Sequence, residues 1–227
     1  MSSFVCEHCK KQFMRESTLS VHMCESKRRR GEQNERGVQL GFQAFLKFYQ
    51  VLHGSSRLKT VDDFIESNYY KAFVKFGRYC VDIRAVAPEQ FLDWLLKNNK
   101  KIDQWCKDSF YEEYLREYLK REPANEAVDR GVKEMQNYAD GTNRLADWNH
   151  YFRYGNSNRI CFHITTGRVS PWILYNCNSG IEWLDSLSSE HLGMVMPYID
   201  PDFWQTKFTK HPADVEFCKH QLKELGL

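Results

Sequence analysis

Cys6, Cys9, His22 and Cys24 constrain this chain more than any other residues in it. The segment FVCEHCKKQFMRESTLSVHMC reads Phe4-x-Cys6-x2-Cys9-x3-Phe13-x5-Leu19-x2-His22. A Cys-x2-Cys turn can point two thiolates at one ion. The twelve residues that follow complete a strand and enter a helix that returns His22 to the same place. Phe4, Phe13 and Leu19 make an apolar cluster too small to fold alone, so bound metal, worth about 10 to 16 kcal/mol in such modules, has to supply the folding energy.

A fourth ligand is needed, and positions 26 to 28 (Ser26, Lys27, Arg28) offer none. Cys24 is the nearby candidate. On a continuous helix residues two apart point roughly 200° away from each other, so Cys24 can ligate only where the helix tightens or unwinds just after His22. Up to the first histidine the spacing resembles the C2H2 zinc-finger family, with a His-x-Cys ending that makes it a C2HC variant. The resemblance implies a small ββα module holding Zn2+ through Cys6, Cys9, His22 and Cys24, a closed Cys3His site with no position left for catalysis.

By the same resemblance His22 takes helix position 7, which puts Arg15, Thr18 and Val21 at the base-facing positions −1, 3 and 6. Arg15 can pair bidentately with a guanine edge. A lone finger spans about three base pairs, too few to select one site in a genome, and no second finger or repeat follows. Residues 1–36 hold eight Lys and Arg against five acids, so the remainder of a chain of net charge +2 is close to neutral. The excess sits in Lys10, Lys11, Arg15, Arg36 and the run Lys27-Arg28-Arg29-Arg30, which predicts salt-sensitive phosphate contacts with DNA or RNA. A finger that docks a protein partner of a replication or transcription complex is the competing reading.

From Gly37 onward the pattern is helical, and the fold class expected is mainly α: the finger with its basic tail over 1–30, then a multi-helix globular body over 37–227. A sub-boundary is expected near 122–143, at 122–125 or at the polar ADGTN of 139–143. Helices are expected over 38–52, 61–81, 88–98, 109–121, 124–138, 143–153, 171–177, 181–187, 189–197 and 213–225. Thr60-x-x-Asp63 resembles a capping box, and Ser170 and Asp200 stand as N-caps before proline. NRICFHITTGRV at 158–169 alternates well enough to be a strand.

The body carries no Walker loop, GxGxxG, GxSxG or HExxH. His150, Asn149, Asn156, Asn158 and His163 faintly suggest a nuclease site in 147–168, although satisfied polar groups at helix ends explain them better. Gly167-Arg168 before a Ser-Pro helix start makes Arg168 a secondary nucleic-acid candidate. No run of eighteen apolar residues occurs and Met1 leads into polar residues, so a soluble cytoplasmic protein without a membrane partner is expected. Three of the eight cysteines cluster with a histidine and five are scattered, which favours metal binding and free thiols over a disulfide framework.

The stretch from Phe4 to Arg30, with its His-x-Cys ending and CESKRRR tail, also resembles the single-finger proteins of T4-like tailed bacteriophages. That resemblance implies a non-enzymatic accessory role in phage DNA replication, recombination or transcription, in the host cytoplasm.

Overall fold

The computed structural model describes residues 4–54, 59–140 and 148–227. The chain divides into two units, Met1–Phe110 and Tyr111–Leu227. The structure is mainly α, with one small sheet at its start.

In the first unit β1 (Phe4–Val5) pairs antiparallel with β2 (Gln12–Phe13), which sets Phe4 opposite Phe13. Two short helices follow, α1 (Glu16–Ser20) and α2 (Glu25–Gly31), and then the long α3 (Arg36–His53). Next come α4 (Val61–Glu66), α5 (Tyr70–Asp82) and α6 (Pro88–Lys97). The capping box forms as expected: Asp63 N–H donates to Thr60 Oγ1 at 3.2 Å, and Thr60 N–H donates to Asp63 Oδ2 at 2.8 Å.

One helix over 61–81 is not what forms. The backbone of Ser67 is extended, and its hydroxyl accepts from Tyr69 N–H at 3.1 Å. A serine that bonds the backbone locally offers it an alternative to the helical ladder, and the helix breaks there.

Helices α3 and α5 form the main packing of this unit. Their approach depends on glycine: a Cβ at Gly77 would lie 1.9 Å from Gly37 O and 2.6 Å from Gly41 N. Around that contact Phe45, Phe64, Phe73, Phe76, Phe91 and Trp105 are all buried, with Phe45 and Phe73 edge-to-face at 5.5 Å.

The second unit follows the unit boundary, which falls within α7 (Asp108–Leu119). It continues with α8 (Ala124–Asp140), α9 (Tyr151–Tyr154), α10 (Ser157–Thr165), α11 (Pro171–Leu174), α12 (Asn178–Asp185), α13 (Ser189–Ile199), α14 (Pro201–Lys210) and α15 (Pro212–Glu224). The expected helix over 143–153 lies partly outside the described residues.

The strand expected at 158–169 is instead α10. Ile160, Cys161, His163 and Ile164 are its buried positions, a helical period and not an alternating one. Asn156 starts it, its side chain accepting from Arg159 N–H at 3.2 Å. A helix over Pro201–Lys210, absent from the sequence-based set, is capped by Asp200, which accepts from Phe203 N–H at 3.4 Å.

The polar stretch at 122–125 is no boundary, because Glu122 is interior to the second unit. Its carboxylate accepts from Arg130 at 2.5 Å and from the Ser170 hydroxyl, while Arg130 Nε donates to Gly167 O at 2.8 Å. Burial still raises the Glu122 pKa, with Arg130 opposing the shift.

Candidate functional site

The metal-ligand candidates converge. The knuckle turn is closed by Cys6 N–H donating to Lys11 O at 2.9 Å and Lys10 N–H donating to Cys6 O at 2.9 Å. Lys10 takes the left-handed conformation, φ 60°, that lets the chain reverse. Helix α1 ends at Ser20, one residue short of Val21, and His22 N–H closes a last turn on Leu19 O at 3.1 Å. The Phe13 ring lies 4.7 Å from the His22 ring and fixes its orientation.

The chain then unwinds, and Cys24 is extended (φ −100°, ψ 166°) as the residue preceding α2. This satisfies the condition that the spacing imposed on Cys24. Cys6 Sγ lies 4.0 Å from Cys24 Sγ, Cys9 Sγ lies 3.3 Å from His22 Nε2, and all four donor atoms fall within 4.8 Å of one another.

For Zn–S of about 2.3 Å and Zn–N of about 2.0 to 2.1 Å, a tetrahedron places sulfurs about 3.8 Å apart and a sulfur about 3.5 Å from the nitrogen. The donor set can therefore hold a metal ion and is compatible with zinc. It is the one such cluster of three or more Cys, His, Asp or Glu among the described residues. The Cys6 thiol is lowered from its ordinary range chiefly by the backbone N–H of Cys9, whereas the Cys9 thiol is raised, the backbone N–H of Lys11 being outweighed by burial and the neighbouring Cys6 and Cys24 thiols.

Around the finger, Lys10, Lys11, Arg15 and Thr18 are exposed. Lys11 lies 5.8 Å from the Phe13 ring centroid, and no acid pairs with Lys10, Lys11 or Arg15 among the described residues. The cationic run behaves differently. It lies in α2, where Glu25 and Glu32 sit one helical turn from its arginines.

Arg28 pairs with Glu25 at 2.9 Å and with Glu32 at 2.7 Å. Arg29 pairs with Glu25 at 3.1 Å, donates to Ile65 O at 2.5 Å and to Ser67 O at 3.4 Å, and stacks 4.4 Å over the Tyr70 ring. Arg30 pairs with Asp62 at 2.7 Å, and Lys27 Nζ donates to His22 O at 3.4 Å. All four cations of the expected free tract are thus engaged within the protein: Arg29 and Arg30 fasten α2 to α4 and α5, while Arg28 pairs along its own helix and Lys27 bonds back to the finger. Glu25, Arg28 and Glu32, spaced i, i+3 and i+7, are the signal in the sequence that foretells it.

Arg168 is also placed otherwise than a phosphate contact requires. It is 9% exposed, with its guanidinium 3.5 Å from Glu134 Oε1 and 4.8 Å over the Phe162 ring. The Ser170 hydroxyl serves its own helix, accepting from Trp172 N–H at 3.2 Å.

Of the group considered for a nuclease, His163 is buried against Tyr151, its Nδ1 2.7 Å from the phenol oxygen. Asn156 caps α10, and Asn158 Oδ1 accepts from His191 Nε2 at 2.7 Å. His150 packs edge-on to Tyr154 at 5.3 Å. These four have structural partners, whereas the Asn149 side-chain oxygen is buried with no hydrogen-bond partner.

No helix among the described residues is long and apolar enough to cross a membrane. Neither a protein-family model, nor a curated protein, nor a solved structure matches the chain.

Proposed function

We propose that this is a nucleic-acid-binding accessory protein, non-enzymatic, whose metal-stabilised finger presents Lys10, Lys11, Arg15 and Thr18 to DNA or RNA. One observation carries the reading. A Cys3His cluster of metal-binding geometry fixes a small module whose exposed cations lack acidic partners, and such cations suit phosphate oxygens. With its resemblance to single-finger phage proteins, the chain would act beside replication, recombination or transcription in a host cytoplasm.

The zinc-loaded full chain should stay on unspecific DNA or RNA at low salt and leave it steeply as salt rises, with a slope of about −0.9 per duplex phosphate contacted. Arg15→Ala and Lys10→Ala should each weaken retention more than Arg28→Ala, since Arg28 is already paired with two acids. Failure to bind any nucleic acid at low salt would overturn the proposal.

A second reading rests on Met14, Val21 and Met23, which are 73%, 80% and 65% exposed on the same finger. Apolar side chains this open suit docking to a protein. That adaptor reading expects salt-tolerant capture of a partner, abolished by Val21→Ser and indifferent to Arg15→Ala.

A further inference from the structure

Arg28 stands four residues past the metal-ligand candidate Cys24, one turn of α2 or about 6 Å along its axis. It lines a cleft of about 530 Å³ in the first unit, and α5 supplies most of the rest of the lining. Lys71, Lys75 and Arg78, spaced i, i+4 and i+7, bring one face of α5 to that cleft. The lining therefore holds four cations against two acids, Glu32 and Asp82, in a chain whose net charge is only +2.

The two arginines are engaged. Arg28 pairs with Glu25 and Glu32. Arg78 pairs with Glu32 at 3.3 Å and with Glu35, the residue before α3, through two contacts of 2.7 Å. The lysines are not: Lys71 and Lys75 are exposed and have no ion pair among the described residues. Asp82 lies seven residues beyond Lys75, about 10.5 Å along the helix. Two unpaired ammonium groups, one turn apart, are thus held at a cleft whose nearer acid is already neutralised.

Tyr70 adds a second observation. It belongs to the wall between this cleft and the neighbouring one at α3 and α4, and it is 2% exposed. Its hydroxyl has no hydrogen-bond partner. The charged groups that act on it are Glu32, Arg29, Arg28 and Arg78, and all but Arg29 line this cleft. Burial, and after it Glu32, raises the phenol pKa, so the group stays a donor. A donor left over among cations adds to the local demand for an acceptor.

We propose that the nucleic-acid surface continues from the finger into this cleft, where Lys71 and Lys75 each neutralise a backbone phosphate. The inference rests on the nucleic-acid reading of the finger and extends it, since a lone finger spans only about three base pairs. Lysine is a compact point charge that meets a phosphate oxygen without demanding a particular base. The cleft therefore adds affinity and no sequence preference.

The test is retention of the zinc-loaded full chain on unspecific DNA and RNA across a salt series. The double variant Lys71→Ala/Lys75→Ala should bind more weakly at low salt, and its salt slope on duplex should be shallower by about 1.8, twice the 0.9 of one phosphate contact. Lys71→Arg/Lys75→Arg should keep the slope. Lys97→Ala/Lys101→Ala, which removes two exposed lysines outside the lining, should also keep it.

If Arg15→Ala weakens retention while Lys71→Ala/Lys75→Ala leaves affinity and slope unchanged, the cleft proposal falls and the finger reading stands. If no nucleic acid is retained at low salt, both fall. An equal loss of slope in the two double alanine variants would show that the cleft has no special part, and would overturn the proposal. So would a Lys71→Ala/Lys75→Ala variant that retains nucleic acid in full but loses binding to polyglutamate, which would assign the cleft to an acidic peptide.

Discussion

At the scale of single residues, Cys24 and Glu35 both depend on where the backbone stops being helical. Cys24 reaches the other donors because α1 ends at Ser20 and the next helix begins only at Glu25. The spacing of the ligands was legible in the sequence, and so was the demand for a break after His22. The identity of the break was not, since nothing between Ser20 and Cys24 is a strong helix breaker.

Glu35 has an energetic role. Hydrogen bonding from Arg78 holds its carboxyl below the ordinary carboxylate range. The sign follows from linkage: a carboxylate depressed in the folded state adds stability above its unfolded pKa of about 4.3, and that stability is lost as pH falls through the folded value. Because Arg78 and Glu35 are both more than one-third exposed, the contribution should be under about 1 kcal/mol. Denaturant midpoints taken between about pH 2 and pH 7 should show Glu35→Gln less stable near neutrality, with the gap closing in acid. A constant gap would mean that the pair does not set the acid limb.

Among the secondary-structure elements, α2 departs most from its reading in the sequence. Counted as composition, Lys27 to Arg30 is a basic tract. Wound into a helix, it is a row of cations facing Glu25 and Glu32 on its own helix and Asp62, Ile65, Ser67 and Tyr70 on the next elements. Charge counting sees only the run, while helical spacing also sees its local acids. The partners on α4 and α5, more than thirty residues away, are visible to neither.

The strand expected at 158–169 failed for a related reason. Cys161, His163 and Thr165 alternate with Phe162 and Ile164 over a stretch too short for periodicity to separate the two states. The Asn156 cap settled it as a helix. At Pro201 the Asp-Pro start was recognised, but PDFWQTKFTK has a weak apolar stripe, with only Trp204 buried.

The contact of α3 with α5 makes its own prediction. Gly77→Ala drives a methyl into the carbonyl of Gly37, a backbone atom that cannot swing aside, and should cost about 1 to 3 kcal/mol or more. Gly31→Ala, with nothing within 4 Å of the added carbon, should be neutral or stabilising by up to about 1 kcal/mol. Chemical denaturation of the two variants checks both. Similar losses at the two positions would show that α3 and α5 do not pack as closely as described.

For the molecule as a whole, seven of the eight thiols divide into two populations, with the half-buried Cys106 between them. Cys6, Cys9 and Cys24 belong to the candidate metal centre, whereas Cys80, Cys161, Cys177 and Cys218 are buried. Burial pushes the Cys80 and Cys218 thiols up to about 12, far from the thiolate that reacts with disulfide reagents.

Metal removal should therefore add three fast-reacting thiols, leave the reactivity of Cys106 unchanged, and leave the four buried ones silent until denaturant is added. Most of the far-ultraviolet helical signal should survive, because α3 and the elements after it have an apolar core of their own. A chelator that changes neither the thiol count nor the finger's fold would rule out the metal centre.

The mainly α architecture was legible from periodicity and caps, and the small sheet from the spacing of the finger's ligands. The unit boundary was not, because polarity at Glu122 looks like a linker and is a buried ion pair with Arg130. A pattern along the chain cannot say whether a charged residue meets water or a countercharge.

The fastening of Arg29 and Arg30 has one more consequence, for anyone working with pieces of this protein. A peptide cut after Gly31 leaves behind Asp62, Ile65, Ser67 and Tyr70, the groups that occupy those two guanidiniums in the intact chain. Such a fragment would keep Lys27 to Arg30 while losing these partners and also Glu32, one of the two acids on Arg28, so its appetite for polyanions would describe the cut and not the protein.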